Sequence, residues 1–533
     1  VATTALWISE SQMLRETERI IRRDIDFLPL KSYSNIREGN ALRMEWDVME
    51  LSADIPTIHA RNTYVVFDPE PDVVNEPVAD FDEVNLITHR MGRGPKPPQR
   101  VNVHYDYIIG NPPFVGARWM SKDQKQDVLD VFGSKWSGVG DLDYVACWFK
   151  KAANLMATND TRAAFVSTNS ITQGAAVANL WKPLFRMGMH IDFAWQSFPW
   201  DSESSVKAHV HCVVIGFSKS PAETQRVIYA SEQHHHSAYY INGYLLDAPD
   251  VFIERRLSPL CDVPQMCLGG QPIDDGNLIL TEEEKETLLR HESQAAPFIR
   301  PFMMGKDFIN RHPRYCIWLV GADPKLLRTC THVLERVKKV KAFRLNSNRK
   351  STLKAAESPT LFGAPFECMS QYVALPKVSS ENRTYIPIDY LTPDVIPGDK
   401  LFCMQNASLY HFGVLISNVH MAWVRATCGR LKSDYSYSNT IVYNNFPWPE
   451  PTEGQKAKIE QTAQAILDAR ACYPDSSLAD LYDELTMPSE LRKAHQDNDR
   501  AVMAAYGFDV KEMTESQCVA ALFKMYQQLT KTN

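Results

Sequence analysis

The spacing of apolar side chains divides the chain into three stretches with different rhythms. Up to about residue 230, short apolar runs alternate with amphipathic segments. Ala5, Ile8, Met13 and Ile20 fall on one stripe and predict a helix over residues 1–23, followed by strand and turn at 35–46 around Gly39-Asn40-Ala41-Leu42. An apolar, buried-type strand ends at Ile109-Gly110. After it the pattern predicts a helix at 141–156, a strand at 162–168, a helix at 180–187 and strands at 191–196 and 208–217. That alternation is the mark of a doubly wound α/β sheet. Residues 55–100, rich in Pro, Asp and Glu and closing in Gly-Arg-Gly-Pro-Lys-Pro-Pro, read as an insertion. From about Ser231 short strands and turn residues predominate, and the segment 375–385 is polar and aromatic in a way cores are not. Beyond Pro451 the pattern is helical, with helices expected at 455–472, 477–485, 488–506 and 513–529. The expected domains are therefore a sheet domain (1–230), a mixed α/β domain (231–451) and a helical region (452–533).

Composition narrows the class. The 533 residues are 44% hydrophobic and 23% charged, and no apolar run approaches the ~18 residues of a membrane span. No secretory signal pattern opens the chain, so a soluble, cytoplasmic protein without a membrane partner is expected. The 11 cysteines never form Cys-x-x-Cys, which argues for a reducing compartment and against a structural metal. A net charge of −7 argues against nucleic acid, but its distribution reverses the argument. Between Arg300 and Lys354 there are 14 Lys or Arg against only Asp307, Asp323 and Glu335. The densest part continues a helix begun after Asp323-Pro324, and offers Arg336, Lys338, Lys339, Lys341, Arg344, Arg349 and Lys350 as phosphate contacts. The same residues also suit a solvated helix face.

The strongest chemistry lies at Tyr105-Asp-Tyr-Ile-Ile-Gly-Asn-Pro-Pro-Phe-Val-Gly, where the strand stops at a rigid turn. The exocyclic N6 of adenine is a poor nucleophile because its lone pair is delocalised into the ring. A site that alkylates it must hold it with acceptors only. The Asn111 side-chain carbonyl and the Pro112 carbonyl supply two, Pro112 and Pro113 remove backbone donors and fix φ, and Phe114 gives the base a flat face. As a four-residue pattern this is also an ordinary turn. Its place at the carboxyl end of a strand, where open α/β sheets bind ligands, favours chemistry.

Further blocks carry a family likeness: Ala5-Leu-Trp-Ile-Ser-Glu-Ser-Gln-Met, Gly39-Asn-Ala-Leu-Arg, Ile109-Gly-Asn-Pro-Pro-Phe-Val-Gly-Ala-Arg, Leu142-Asp-Tyr-Val, Val378-Ser-Ser-Glu-Asn-Arg-Thr-Tyr-Ile-Pro, and Gly429-Arg-Leu-Lys-Ser-Asp-Tyr-Ser-Tyr-Ser through Tyr443-Asn-Asn-Phe-Pro-Trp-Pro. With these the chain resembles the methyltransferase and target-recognition portion of the MmeI-like (type IIL) restriction-modification enzymes. That family joins nuclease, adenine-N6 methyltransferase and DNA-specificity region in one polypeptide. The resemblance implies a Rossmann-like methyltransferase sheet, S-adenosylmethionine as cofactor and double-stranded DNA as partner. It implies catalysis by Asn111, Pro112, Pro113 and Phe114, with Asn40 and Ala41 gripping the cofactor adenine; many relatives of the fold carry Asp where Asn40 stands. It also implies an aromatic from Ser197-Phe-Pro-Trp-Asp stacking on a flipped base, with Phe198 favoured over Trp200 and core packing the alternative for both.

The family's glycine-rich cofactor loop and ribose-binding acid should lie before the helix at 1–23, and its nuclease lies upstream in the same polypeptide; none of these is recognised here. The expectation is a sheet short of its first strand and a chain that, alone, binds the cofactor poorly. Gly138-Val-Gly140 lies after the catalytic turn and is rejected as that loop. Pro249-Asp250 with Glu254 has the wrong spacing for a nuclease, and His234-His-His236 reads as a solvated loop. Two other readings stay open: a DNA-recognition module without activity, and a protein or RNA methyltransferase, since the same turn suits a glutamine amide.

Overall fold

The computed structural model describes residues 38–51, 99–158, 160–200, 210–219 and 225–532. The helix expected at 1–23 and nearly all of the 55–100 insertion lie outside them. The chain divides into two compact units: Val1–Ile171 with Asn179–Trp200 and His211–Pro249, and Thr172–Ala178 with Asp201–Val210 and Asp250–Asn533.

In the first unit a short 3-10 turn (Ala41–Arg43) leads into an antiparallel ribbon of β1 (Val48–Leu51) and β2 (Gln99–Asn102). The main sheet is built from β3 (Tyr107–Gly110), β4 (Arg162–Thr168), β5 (His190–Trp200), β6 (Val210–Ser218), β7 (Arg226–Tyr229) and β8 (His235–Ala238) in the order β3-β4-β6-β5-β7-β8. β3 and β4 run parallel, as do β5 and β7, whereas β6 lies antiparallel to β4 and β8 to β7. The sheet is therefore open and mixed, an α/β fold with antiparallel insertions.

Three helices belong to this part of the chain: α1 (Lys122–Phe132), α2 (Ala146–Leu155) and α3 (Gly174–Arg186). The small and aromatic run Ala146-Cys-Trp-Phe lets α2 press directly on the sheet. Its Phe149 meets Phe165, Phe217 and Trp181 at ring-centroid separations of 5.2, 5.3 and 5.5 Å, the centre of the core. The sequence pattern hides α1, whose first six residues are all polar and whose apolar side chains are confined to Val128, Leu129, Val131 and Phe132 at its end. It forms because Ser121 and Gln124 close a capping box, each side chain bonding the other residue's backbone N–H.

Two expectations are corrected here. The strand before the turn at Asn111 is buried on one face only: β3 is an edge among the described strands, Ile108 points inward, and Tyr107 and Ile109 are 70% and 71% exposed. The strand expected to end at Gln196 continues to Trp200, so Phe198 and Trp200 sit on β5 rather than on a connection.

The second unit holds three small sheets and a helical region. In one, Ile299–Met303 pairs with Arg314–Ile317, and together with α4 (Glu282–His291) and α5 (Thr331–Leu345) encloses Phe302, Ile317, Val333, Val337 and Val340. The segment 375–385, read as unlike a core, is mixed: Leu375 and Pro376 end the fully buried strand Tyr372–Pro376, Ser379 and Tyr385 are buried, Lys377, Val378, Ser380 and Arg383 are half-buried, and Glu381, Asn382 and Thr384 are exposed. Four helices follow, at Glu453–Ala471, Leu478–Leu481, Ser489–Ala505 and Glu515–Thr532, the second much shorter than its pattern suggested.

Candidate active site

Asn111 stands immediately after β3, exposed, and Pro112 is buried behind it. Neither the Asn111 side chain nor the Pro112 carbonyl bonds to another described residue, so both acceptors of the turn are unspent. A Cβ at Gly110 would meet the Phe165 ring at 3.3 Å, so a larger residue at the strand end would require that ring to shift by a few tenths of an ångström. Phe114, half-buried, takes an edge-on contact from Trp200 with centroids 6.4 Å apart and planes at 88°. Phe198 lies one step further along β5, packed against Trp195 and Trp200 at 6.3 and 6.5 Å. The residue that meets the turn at Asn111 through Phe114 is thus Trp200, with Phe198 packed against Trp200.

The loop after the turn is pinned from three sides. Val115 N–H reaches the Pro113 carbonyl at 3.2 Å, Tyr144 N–H reaches the Val115 carbonyl at 2.9 Å, and Ala117 N–H donates to Asp143 Oδ1 at 2.8 Å. The other Asp143 oxygen accepts from the Ser170 hydroxyl, which comes from the turn following β4. Nearby, Asn169 donates to the Ser197 hydroxyl at 2.9 Å. The block Leu142-Asp-Tyr-Val, to which the sequence alone assigns no task, is therefore what holds the turn in place. An acid three residues ahead of a buried helix, after a turn carrying Gly138 and Gly140, is the sequence signal for it.

The turn at Asn40 has the opposite character. Its side-chain oxygen caps the 3-10 turn by accepting from Leu42 N–H at 2.9 Å, and its amide donates to Asp127 at 2.9 Å. Asp127 is 3% exposed and also accepts from Arg43 Nε at 2.8 Å and from the Tyr144 hydroxyl at 2.7 Å. Burial pushes that carboxyl up, but the bonds from Arg43, Tyr144 and Asn40 outweigh it and hold it below the usual carboxylate range. The Ala41 carbonyl accepts from Lys151 and from the Trp46 indole, each at 2.9 Å. Lys151 also bonds the Leu42 and Met44 carbonyls, and burial lowers its ammonium to about 8. The Asn40 side chain and the Ala41 carbonyl, expected to grip a cofactor base, thus also bond within the fold.

The basic segment separates in the same way. Glu292 caps α5 by accepting from His332 N–H at 2.6 Å and from the Thr331 hydroxyl at 2.8 Å. Lys338, Lys339, Lys341, Arg349 and Lys350 are exposed, with the apolar Phe343, Leu345 and Leu353 exposed among them. Arg344 is not a phosphate contact. It is 0% exposed and donates to the carbonyls of Ile273, Ala355, Ser358, Pro272 and Leu361 at 2.7–3.2 Å. Its place in the helix follows Val333, Val337 and Val340 on the inward face, a periodicity that charge counting ignores. Arg336 is likewise engaged, bonding Glu284 at 3.0 Å and the Asn277 carbonyl at 3.2 Å. No helix among the described residues is long and apolar enough to cross a membrane.

Three family models match the chain. Residues 1–230 match the MmeI DNA-methyltransferase domain, 247–450 the MmeI target recognition domain and 452–533 the MmeI C-terminal domain. DNA methyltransferase A of Bacillus subtilis (strain 168) is 33% identical over 531 residues, covering 99% of this chain and 54% of that protein. The solved structure of the type IIL restriction-modification enzyme MmeI in complex with DNA superposes with a TM-score of 0.75 at 44% identity, over 80% of this chain and 57% of the other. The chain thus spans about half the length of the relatives it matches.

Proposed function

Because the chain belongs to the MmeI family through its methyltransferase, target-recognition and C-terminal domains, we propose that it is a site-specific DNA adenine-N6 methyltransferase of a restriction-modification system. The observation that carries the reading is the turn at Asn111: two unspent acceptors on a rigid mount at the carboxyl end of β3. The N6 amino group of the substrate adenine donates one N–H to Asn111 Oδ1 and the other to the Pro112 carbonyl. Both interactions strengthen as the nitrogen pyramidalises toward attack, so they stabilise the transition state more than the ground state. Phe114 and the Trp200–Phe198 pair supply the aromatic surface for a base drawn out of the duplex, since N6 is inaccessible within the stack.

S-adenosylmethionine, the donor that a methyltransferase domain implies, supplies an electrophilic methyl group on a sulfonium. The turn assigned to its adenine holds the Asn40 side chain through Leu42 N–H and Asp127 and the Ala41 carbonyl through Lys151 and Trp46, so what the Asn40 side chain would offer that base is the second lone pair of its Oδ1. Reading of the DNA sequence belongs to the region 231–451, with Lys338, Lys339, Lys341, Arg349 and Lys350 tracking phosphates.

Nucleoside analysis of duplex DNA methylated by the protein made from its natural gene tests this reading. N6-methyladenine at one sequence is expected. N4-methylcytosine, whose amine the same acceptors also suit, or methyl groups on protein or RNA alone, would refute it.

A further inference from the structure

The largest exposed aromatic surface near the candidate site belongs to a residue that the mechanism above leaves without work. Trp119 is 87% exposed. It sits five residues beyond Phe114, on a turn closed by its own N–H to the Gly116 carbonyl at 2.8 Å, with its ring against Gly116. Such exposure does not arise from a slack loop. Ala117 is held by Asp143, Asp143 by Ser170, Met120 on the far side is 7% exposed, and Ser121 starts α1 with a capping box. A rigid platform therefore presents a large flat side chain to solvent, which is unfavourable unless a partner covers it. The residues around it name the partner's charge: Arg118, Lys122 and Lys125 are all exposed beside it, against Asp123.

We propose that Trp119 enters the DNA stack at the position vacated by the target base, holding the duplex open while Asn111 and Phe114 engage that base. This rests on the reading of the chain as a base-extruding DNA methyltransferase. Extruding a base leaves a flat, apolar gap between neighbouring base pairs, and an indole fills it with stacking contacts that need no particular sequence. Arg118 and the first turn of α1 meet the phosphates on either side of the gap. The ring contributes to extrusion, not to the chemistry of transfer.

The test compares wild type with Trp119→Ala and Trp119→Phe, made from the natural gene, on two duplexes carrying the protein's own methylation site. In one the target adenine is paired with thymine; in the other it faces an abasic position, so no base pair need be broken to extrude it. Trp119→Ala is expected to lose about tenfold or more in kcat/KM on the paired duplex. On the abasic-opposed duplex it should stay within about twofold of wild type, and Trp119→Phe should keep most activity on both. A 2-aminopurine at the target position should brighten with wild type and much less with Trp119→Ala. Unimpaired activity of Trp119→Ala on the paired duplex would overturn the proposal, and so would an equal loss on both duplexes. If the wild type methylates neither duplex, the functional reading itself falls, and the wedge with it.

Discussion

Two asparagines head two turns in the same unit, and the fold treats them oppositely. Asn40 is bound on both sides of its amide, to Leu42 N–H and to Asp127, within a network that also takes in Arg43 and Tyr144. Asn111 stands on an equally rigid support, yet its side chain meets no described residue. The first arrangement satisfies polar groups and stabilises the fold; the second leaves them open at a site where a substrate can complete them. The basic helix repeats the contrast within one element, with Arg344 buried under five carbonyls and Lys338, Lys339 and Lys341 in solvent. Residue type does not separate spent from unspent groups. Their partners do.

The largest effect on stability is expected at Arg344. Arg344→Ala strands several buried carbonyls and should destabilise the second unit by about 3–5 kcal/mol, measured by denaturant unfolding. A change below about 1 kcal/mol would mean that water or a neighbour satisfies them, and that the distinction drawn on the helix is false. Asn40→Ala should cost about 2 kcal/mol, from the lost cap and the missing donor to Asp127. If it instead leaves the melting temperature unchanged and raises the KM for the cofactor, Asn40 is a binding residue after all.

A pH titration sharpens the comparison from another side. His420 and His411 are held neutral by burial, lowered to about 3 and about 4, and burial takes His495 well below the usual range. A depressed histidine contributes stability that is fully present above its unfolded value of about 6.5 and lost as pH falls toward the folded value. Asp499, raised by burial to about 6, acts in the opposite sense, adding stability as pH falls below 6. Three histidines against one aspartate leave a net loss. Hydrogen exchange in Leu409–Leu415 and Asn418–Thr427 should therefore accelerate steadily from about pH 6.5 to about pH 4, after correction for intrinsic rates, and protection unchanged over that range would refute it. The smallest effect is expected at the unspent cations. Neutralising Lys338, Lys339 and Lys341 should reduce the slope of log binding constant against log salt by about 1 for each lysine that meets a phosphate, with the preferred sequence unchanged. An unaltered slope would mark them as a solvated face.

Much of this was legible in the sequence. The strand at 162–168 has the expected bounds, because Ala163, Phe165 and Ser167 alternate inward without competing signals. The turn at Asn111 was legible as a rigid turn at a strand end because two prolines leave it few conformations. α1 was not legible: its capping box is short-range, and one of its inward residues is Asp127, which no hydrophobic pattern marks. Nor was the loss of Arg344 from the phosphate-binding set, since charge density carries no information about which face of a helix is buried. The work of Asp143 and Lys151 depends on segments far apart in sequence coming together, at Ala117 and at Ala41. That is a property of the tertiary fold alone.

The central claim is that the open turn at Asn111, and not the closed one at Asn40, does the chemistry. The natural gene, its Asn111→Ala variant and its Asn40→Ala variant can each be expressed in a bacterial host without DNA methylation of its own, and modified bases mapped across the genome. The account predicts N6-methyladenine at one recurring sequence with the wild type, a loss of at least about a hundredfold with Asn111→Ala at equal protein level and unchanged melting temperature, and marks at the same sequence with Asn40→Ala in proportion to the folded protein that remains. An Asn111→Ala protein that still marks the genome near the wild-type level would contradict it.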